Sequence, residues 1–355
     1  MTKQDQWPEL ISRLINQENL TSEETSWAMD QVMSGETSPV VLAGFLTALA
    51  TKGETPDELR GLADAMLEHA RPIRVEGPVL DIVGTGGDRL HTVNISTMAA
   101  LVIAAGGVAL VKHGNRASSS SSGSADCLEA LGVNLNMSLE AVTRCFEDLG
   151  VTFIFANVFH PSMKYAAQAR RELGVRTAFN LLGPLTNPAR PSSSVIGVAS
   201  EAHAPIVAGV LAERDTSSIV FRGFNGMDEL SAVARNQVWE IRGGTVDYHE
   251  IDVVSQLGVA PATVDDLRGA DAAYNAEVAR RVLSGERGAV RDAVTLNAAA
   301  GFVADSRLTG VRAQDGSLVE RLANGLEIAR NVIDSGAADS LLKRWVEFSK
   351  GTMAP

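Results

Sequence analysis

The stretch VKHGNRASSSSSGSADCLEALG, residues 111–132, decides the fold because it joins a strand to a helix through a polar loop. Upstream, LVIAAGGVALV (101–111) is apolar and broken by glycine, which predicts a helix, a turn and a buried strand. Downstream, SADCLEALG predicts a helix capped by Ser124, with Asp126 in its first turn and Gly132 at its end. Ligands of α/β sheets bind at such junctions, so the serines indicate a binding loop and not a linker.

The composition limits both the size of the core and the partners. The chain has 355 residues, of which 45% are hydrophobic, enough to bury a large core. A formal net charge of −12 excludes a general nucleic-acid surface, because phosphate backbones require a basic face. The two cysteines, Cys127 and Cys145, indicate no disulfide framework and favour a reducing cytoplasm. The N-terminus lacks a secretory pattern, and glycines interrupt the uncharged run 92–111, so we expect no membrane partner.

Residues 1–74 predict a small helical domain. Segments 21–24 and 55–58 have the Thr-x-x-Glu spacing of capping boxes. Between them, SPVVLAGFLTALATKG (38–53) predicts a helix that begins at Ser-Pro and ends at glycine. The surplus of Val, Leu and Phe indicates that part of this surface is buried against another subunit.

From residue 75 the pattern changes to short β-rich runs that alternate with helical segments. Strands are expected near 79–83, 108–112, 152–156, 194–199 and 217–222. QVWEIRGGTVDYHEI (237–251) predicts a hairpin that turns at Gly243-Gly244, at or beyond a sheet edge. The fold class is therefore α/β: a small N-terminal helical domain and, over 75–355, an α/β domain whose mostly parallel central sheet is covered by helices.

Glycines and polar side chains follow the first predicted strand. In DIVGTGGDRLHTVNIST (81–97), three glycines within four residues allow the backbone to bend its N–H groups around an anion. The segment is neither GxxxxGK[ST] nor GxGxxG, so the usual nucleotide motifs are absent. Asn94, Ser96 and Thr97 open the next helix and can present donors to phosphate. Helix capping accounts for one of these three residues, but not for the glycines.

Two cations and two hydrogen-bonding side chains stand at the end of the second strand: Lys112, His113, Asn115 and Arg116. Solvated charges are the simpler interpretation of a strand-end Lys and Arg. With the serine run 118–122 beside them, these residues also offer the charge and the donors that a polyanion needs. The histidine is given no proton-transfer role.

Two further pairs of charged residues are candidates. Asp228 and Glu229 lie in FNGMDELS (224–231); such a pair is usually surface charge, but beside phosphates it supplies oxygen ligands for Mg²⁺. Arg170 and Arg171 lie on a predicted helix that ends near residue 173. Neighbours on a helix point about 100° apart, so only one of the two arginines is expected to enter a cleft.

Together these segments resemble the anthranilate phosphoribosyltransferases, a family of tryptophan biosynthesis. The resemblance rests on GTGGD, NIST, KHGNR with SSGSAD.LEALG, HP.MK, RRELGVRTAFNLLGPLTNPA and GMDE, in the family's order and spacing between residues 81 and 230. It implies a helical domain, joined in space by a helical segment near 161–190, and an α/β domain that binds phosphoribosyl pyrophosphate (PRPP) and Mg²⁺. It also implies a homodimer formed through the helical domain.

The resemblance implies a set of site residues. For PRPP these are Gly84, Gly87, Asp88, Thr92, Asn94, Ile95, Ser96, Thr97, Lys112, His113, Gly114, Asn115, Arg116, Ala117, Ser118, Ser119, Ser120 and Ser124. For the Mg²⁺ cofactor they are Ser96, Asp228 and Glu229, and for anthranilate Gly84, Asn115 and Arg170. The expected catalytic residues are Lys112, Asn115 and Arg170. The serine run is expected to order over the pyrophosphate.

The expected reaction transfers the phosphoribosyl group to the amine of anthranilate, with catalysis by leaving-group stabilisation and positioning. The sequence departs from the common family pattern at Arg89-Leu90-His91 and at Asn157, which affects the shape of the glycine loop and of the aromatic-acid entrance. Three alternatives stay open: a pyrimidine nucleoside phosphorylase, a transferase for another aromatic acceptor, and a non-catalytic binding protein.

Overall fold

The structure is a computed structural model that describes residues 3–117 and 121–351. The strands are β1 Leu80–Gly84, β2 Leu110–Gly114, β3 Val151–Phe155, β4 Ser193–Gly197, β5 Ser217–Gly223, β6 Asn236–Arg242 and β7 Thr245–Ile251. The helices are α1 Lys3–Ile15, α2 Ser22–Met33, α3 Pro39–Lys52, α4 Pro56–Glu68, α5 Ile95–Ala105, α6 Ser124–Leu131, α7 Leu139–Leu149, α8 Ala156–Phe159, α9 Lys164–Leu173, α10 Phe179–Leu182, α11 Ala204–Glu213, α12 Val253–Leu257, α13 Ala272–Leu283, α14 Ala289–Asp305, α15 Leu318–Asp334 and α16 Ala337–Gly351. Among these described helices, none is both long and apolar enough to cross a membrane.

The described strands form one sheet of seven in the order β3-β2-β1-β4-β5-β6-β7. Strands β1 to β5 are parallel, and β6 and β7 add an antiparallel hairpin at one edge. The predicted fold class is confirmed, and so is the hairpin, whose turn residues Gly243 and Gly244 have φ of 54° and 73°. After β3 the chain returns to the other side of β1, so the strand order reverses between β1 and β4. Ligands of open α/β sheets bind outside the strand ends at such a reversal.

The helix boundaries follow the local signals at most positions. Both predicted capping boxes are formed: Thr21 Oγ1 accepts the N–H of Glu24, and Thr55 Oγ1 accepts the N–H of Glu58. The expected cap at Ser124 is wrong, because α6 begins at Ser124 and its N-cap is Gly123. Asp126 supplies the side-chain contact there, since its carboxylate accepts the Gly123 N–H at 2.9 Å.

Successive strand residues belong to different cores, as the period of two requires. On β4, Val195 packs in a core with α5, α7 and α14, whereas the next residue, Ile196, packs in a second core with α2, α4 and α11. On this second side α11 lies on β5 and β6, and α4 packs against α11, so the N-terminal helices share a core with this face of the sheet. Helix α9 packs against α2 and α3, which brings part of segment 161–190 to the same helices. The boundary between two domains at residue 74 stays a prediction.

Glycines at the ends of β1 and β4 leave room for Asp228. Gly84 and Gly197 are directly paired in the sheet, and the chain after β5 crosses over both. A Cβ at Gly84 would overlap the Asp228 carboxylate, and a Cβ at Gly197 would overlap its carbonyl oxygen. Any larger residue at either position would push Asp228 away from the strand ends.

We predict that Gly197→Ala lowers the free energy of unfolding by about 3 kcal/mol, because the new methyl group meets rigid backbone. Chemical denaturation monitored by circular dichroism measures this change. Gly351→Ala is the matched control: a Cβ there meets no other part of the described chain within 4 Å, so its effect should stay within about 0.5 kcal/mol. Equal stabilities of the two variants would contradict the close approach of Asp228 to β4.

Candidate active site

The carboxyl ends of β1, β2 and β5 bring three loops to one edge of the sheet. The loop after β1 carries the glycines and leads into α5, the loop after β2 carries the serine run, and the loop after β5 carries Asp228 and Glu229. A direct contact ties the first loop to the third, since the Gly86 N–H donates to Asp228 Oδ2 at 2.7 Å. Segments far apart in sequence therefore meet at the point where the strand order reverses.

The loop after β1 has an unusual backbone. Gly86 and Gly87 have φ of 66° and 80°, and Arg89 and His91 also lie in the left-handed region, with φ of 63° and 54°. Left-handed backbone is easy for glycine and costs energy for other residues, and such strain collects at functional sites. The two strained residues are within the tripeptide that departs from the family pattern.

Three acids form the electrostatic centre of the site. Single oxygens of Asp88, Asp228 and Glu229 all lie within 4.8 Å of one another. Burial, and then the charge of Asp88, raise the pKa of Asp228 to about 7. The pKa of Glu229 is raised well above its usual value by burial and by the charges of Asp228 and Asp88. Mutual repulsion between these carboxylates favours a cation among them.

Unsatisfied oxygens support the same conclusion. Within the described residues, Asp88 Oδ2 and Glu229 Oε2 are buried without a hydrogen-bond partner. Their sister oxygens are held in place: Asp88 Oδ1 accepts the Leu90 N–H at 3.1 Å, and Glu229 Oε1 accepts from Thr92 Oγ1 at 3.2 Å. Each acid thus presents one anchored and one open oxygen, an arrangement that fits a hard cation such as Mg²⁺. Asp88, which we assigned to PRPP, lies in this cluster.

Helix α5 points its N-terminus into the same edge. Ile95 is buried, and the buried Thr97 Oγ1 has no partner within the described residues. Ser96 Oγ accepts from Lys112 Nζ at 3.2 Å. Asn94 is the N-cap residue, but its side chain does not cap the helix. The Ile95 and Thr97 N–H groups donate to the Val93 and Asn94 carbonyls, so it is mainly the dipole of the helix N-terminus that favours an anion at this position.

Lys112 is a buried ammonium group. Its side chain is 2% exposed, and Nζ also donates to the Ile82 carbonyl. Burial lowers the pKa of Lys112 to about 8, although the Asp81 carboxylate opposes this change. Burial likewise raises the pKa of Asp81 to about 6, and Lys112 opposes that change. The expected catalytic role of Lys112 stays a prediction.

His113 is held neutral in the interior. Burial and the neighbouring His160 ring, 5.1 Å away between centroids, lower the pKa of His113 to about 3. Its Nδ1 lies 3.0 Å from the Gly183 carbonyl, which can only accept, so Nδ1 carries the proton. A ring in this state donates at one nitrogen and bears no charge at neutral pH.

The loop after β2 keeps its charge paired. The Arg116 guanidinium contacts the carboxylates of Asp126 and Glu129 on α6, so it is not a free cation beside the serine run. The Ala117 N–H donates to Asp126 at 2.9 Å, and Ser124 Oγ donates to the Asn115 carbonyl at 3.4 Å.

Close packing sets the start of this loop. Gly114 has no room for a Cβ, because Ser124 Oγ and the Phe153 ring occupy that space. Ser118, Ser119 and Ser120, assigned to PRPP from the sequence, lie outside the described residues.

The two neighbouring arginines on α9 differ in exposure. Arg171 is exposed, whereas Arg170 is half-buried with its guanidinium 5.0 Å from the centre of the Phe179 ring. Burial lowers the pKa of Arg170 from its usual value, but the group keeps its charge at neutral pH. A half-buried cation held over an aromatic ring suits a carboxylate ligand.

Several residues that support the site were not found by the sequence reasoning. Arg176 donates to the Gly87 carbonyl and so contacts the glycine loop. On α14, the buried Asn297 accepts the Leu230 N–H at 3.3 Å and donates to the Leu230 carbonyl at 2.9 Å, which holds the residue after Glu229. No local signal marks Asn297, because a polar residue inside a helical pattern shows its partner only after folding.

The fold and the site define a class of α/β protein whose sheet edge holds a glycine loop and a helix N-terminus beside an acid cluster, and the comparisons identify the family within it. The helical bundle domain of the glycosyl transferase family matches residues 8–70, and the a/b domain of that family matches residues 76–339. Anthranilate phosphoribosyltransferase of Arthrobacter sp. (strain FB24) is 57% identical over 97% of this chain and 96% of its own length.

Two solved structures extend the comparison. The crystal structure of anthranilate phosphoribosyltransferase from Thermus thermophilus has a TM-score of 0.88 and 45% identity, covering 96% of this chain and 99% of that one. The enzyme from Saccharomyces cerevisiae in complex with PRPP and Mg has a TM-score of 0.86 and 25% identity, covering 98% and 99%. The present chain belongs to the anthranilate phosphoribosyltransferase family.

We predict that Asp88→Asn stabilises the protein without ligand by on the order of 1 kcal/mol at pH 7.5, since one pKa unit is worth about 1.4 kcal/mol. The folded state holds protons on carboxyls whose pKa values are raised, so stability falls as pH rises from about 4 through about 7. Removing one charge lowers those pKa values and weakens the fall. The gain should therefore shrink at pH 5, as denaturation across pH would show.

Asp247 is an exposed acid on β7, so Asp247→Asn makes the same change in net charge outside the cluster. This control should leave stability nearly unchanged. Added Mg²⁺ should raise the melting temperature of the wild type more than that of Asp88→Asn. A pH-independent difference between wild type and Asp88→Asn would show that the three acids do not interact in the folded protein.

Proposed function

We propose that the protein transfers the 5-phosphoribosyl group of PRPP to the amine of anthranilate, giving N-(5-phosphoribosyl)anthranilate and pyrophosphate, in tryptophan synthesis. One observation carries the proposal: the three-acid cluster lies between the glycine loop and the loop after β5, at the reversal of strand order. That position suits a diphosphate with a divalent cation. Family membership supports the same substrates.

The chain holds PRPP in the glycine loop, against the N-terminus of α5. The left-handed turns at Gly86 and Gly87 bend that loop, the dipole of α5 favours an anion, and the loop after β2 contributes its serines. The roles of the individual side chains inferred from the sequence stay part of this proposal. Because the protein as a whole is acidic, binding of this polyanion depends on local donors.

We assign the Mg²⁺ site to Asp228 and Glu229, joined by Ser96 as inferred from the family motif. We add Asp88 to this proposed site, because its unpartnered oxygen lies in the same cluster of described residues. When bound, Mg²⁺ would supply positive charge to the diphosphate oxygens as they become the leaving group. The chain itself keeps the carboxylates together. The Gly86 N–H donates to Asp228 and the Thr92 hydroxyl to Glu229, and Asn297 holds the next residue, Leu230.

The acceptor amine needs little help from a base. An aryl amine is already neutral at pH 7, and His113 bears no charge at that pH because of its lowered pKa. Arg170 binds the anthranilate carboxylate, and Asn115 orients the ring. Catalysis then depends on placing the amine behind the ribose carbon from which pyrophosphate departs.

Replacing the half-buried arginine tests the acceptor site. We predict that Arg170→Ala raises the KM for anthranilate by about tenfold to a hundredfold, because a charge-assisted contact worth about 1.5–3 kcal/mol is lost. The KM for PRPP should change much less. Loss of anthranilate fluorescence with PRPP and Mg²⁺ measures both constants, and EDTA should abolish the signal.

Arg171→Ala is the matched control, since its side chain is exposed on the same helix, and we expect wild-type constants for it. Equal effects of the two substitutions would remove Arg170 from the site. Turnover of nucleosides with phosphate, and none of anthranilate, would favour a nucleoside phosphorylase.

We also propose a homodimer formed through the helical domain. Exposed aliphatic side chains support it: Val40 on α3 is 81% exposed and Ile15 at the end of α1 is 66% exposed, and these two helices pack together. Val40→Glu should convert a dimer into a monomer in light scattering coupled to gel filtration. Val246→Glu, on the edge strand β7, should leave the mass unchanged, and a monomeric wild type would overturn the proposal.

A cytoplasmic site of action is part of the same proposal. Cys127 and Cys145 are both buried and unpaired, which suits a reducing compartment.

A further inference from the structure

The N-cap residue of α5 uses its side chain for a purpose other than capping. Asn94 Nδ2 donates to the carbonyl of Ser122, the last serine of the run, at 3.1 Å. Asn94 Oδ1 accepts from Asn275 Nδ2 on α13 at 2.9 Å. The side-chain amide of Asn94 thus links Asn275, which lies 181 positions later in the chain, to the end of the serine loop.

The direction of these hydrogen bonds is set at both ends by backbone groups. The Ala270 N–H, which can only donate, bonds to Asn275 Oδ1 at 2.9 Å. Asn275 must therefore turn Nδ2 towards Asn94, and Asn94 must turn its own Nδ2 towards the Ser122 carbonyl, which can only accept. The relay of Ala270, Asn275, Asn94 and Ser122 has a single consistent orientation.

The surroundings of Asn275 leave it little freedom. The side chain is 1% exposed. The preceding segment is bonded to the end of the glycine loop, because the Gly269 N–H donates to the His91 carbonyl at 2.7 Å and the Val93 N–H donates to the Leu267 carbonyl at 2.9 Å. A Cβ at Gly269 would lie 2.8 Å from Asn275 Oδ1, so the amide is enclosed.

We propose that Asn275 is a positioning residue for PRPP: by orienting the Asn94 amide it fixes the C-terminal end of the serine loop relative to α5. The inference rests on the proposed function, because it assigns that loop to PRPP. Asn275 acts through Asn94 and the Ser122 carbonyl. Its contribution is to hold two loops in register before the substrate arrives, which lowers the cost of ordering them on binding.

The isosteric variant Asn275→Asp tests the relay. An aspartate still accepts the Ala270 N–H, but it faces Asn94 Oδ1 with an acceptor. The Asn94 amide then reverses and loses its bond to the Ser122 carbonyl. We expect the KM for PRPP to rise roughly tenfold, with the KM for anthranilate changed less than twofold. Equal increases in both constants, or none, would overturn the proposal.

Two further variants separate positioning from general damage. In an Asn94→Ala background, Asn275→Asp should raise the KM for PRPP no further, because the relay is already broken. Additive effects of the two substitutions would overturn the proposal. Asn134→Asp is the matched control, since this half-buried asparagine donates to the Ser349 carbonyl at 3.3 Å, outside the relay, and should keep wild-type constants.

The wild type is assayed first, so that the two proposals fail separately. Absence of anthranilate turnover would count against the proposed function. The relay would then be tested by measuring the affinity of the wild type and of Asn275→Asp for PRPP by calorimetry, and we expect the variant to bind about tenfold more weakly. If that variant does not fold, hydrogen exchange on the wild type replaces it. PRPP should slow exchange in peptides covering 268–276, and unchanged exchange there would overturn the proposal.

Discussion

The close approach of Asp228 to the ends of β1 and β4 is the constraint on which the site depends. Glycine at positions 84 and 197 removes the side chains that would occupy this space, and the Gly86 N–H then reaches the Asp228 carboxylate at 2.7 Å. This contact joins the loop after β1 to the loop after β5. Without this contact, the loop after β5 would not hold its acids beside Asp88 at the point where the strand order reverses.

Folding holds groups together here that would otherwise separate. One oxygen from each of three carboxylates lies within 4.8 Å of the other two, and Arg89 and His91 adopt left-handed backbone in the adjoining loop. The surrounding structure opposes this cost with buried amides: Asn297 holds the chain after Glu229, and Asn275 orients Asn94. A cation bound among these acids would relieve their repulsion and so stabilise the folded state.

Much of the fold could be predicted from local patterns. The capping boxes at 21–24 and 55–58, the five parallel strands and the hairpin at Gly243-Gly244 all follow from residue types at short spacing. The residue types also marked the glycine loop and the acid pair as candidates, but only the fold shows that the two acids lie beside that loop and not on an open surface. The cap at Ser124 was wrong, since Gly123 and Asp126 satisfy that helix end more effectively.

The sequence by itself determined the elements, the α/β class and the residue types at the strand ends, because these depend on neighbours within a few positions. Only the tertiary structure decided that β4 lies beside β1, that Asp88 joins the acid pair, and that Arg116 is neutralised by α6. It also decided that Asn275 meets Asn94 across 181 positions. These are long-range contacts, whose partners are chosen by packing and charge once the chain is compact.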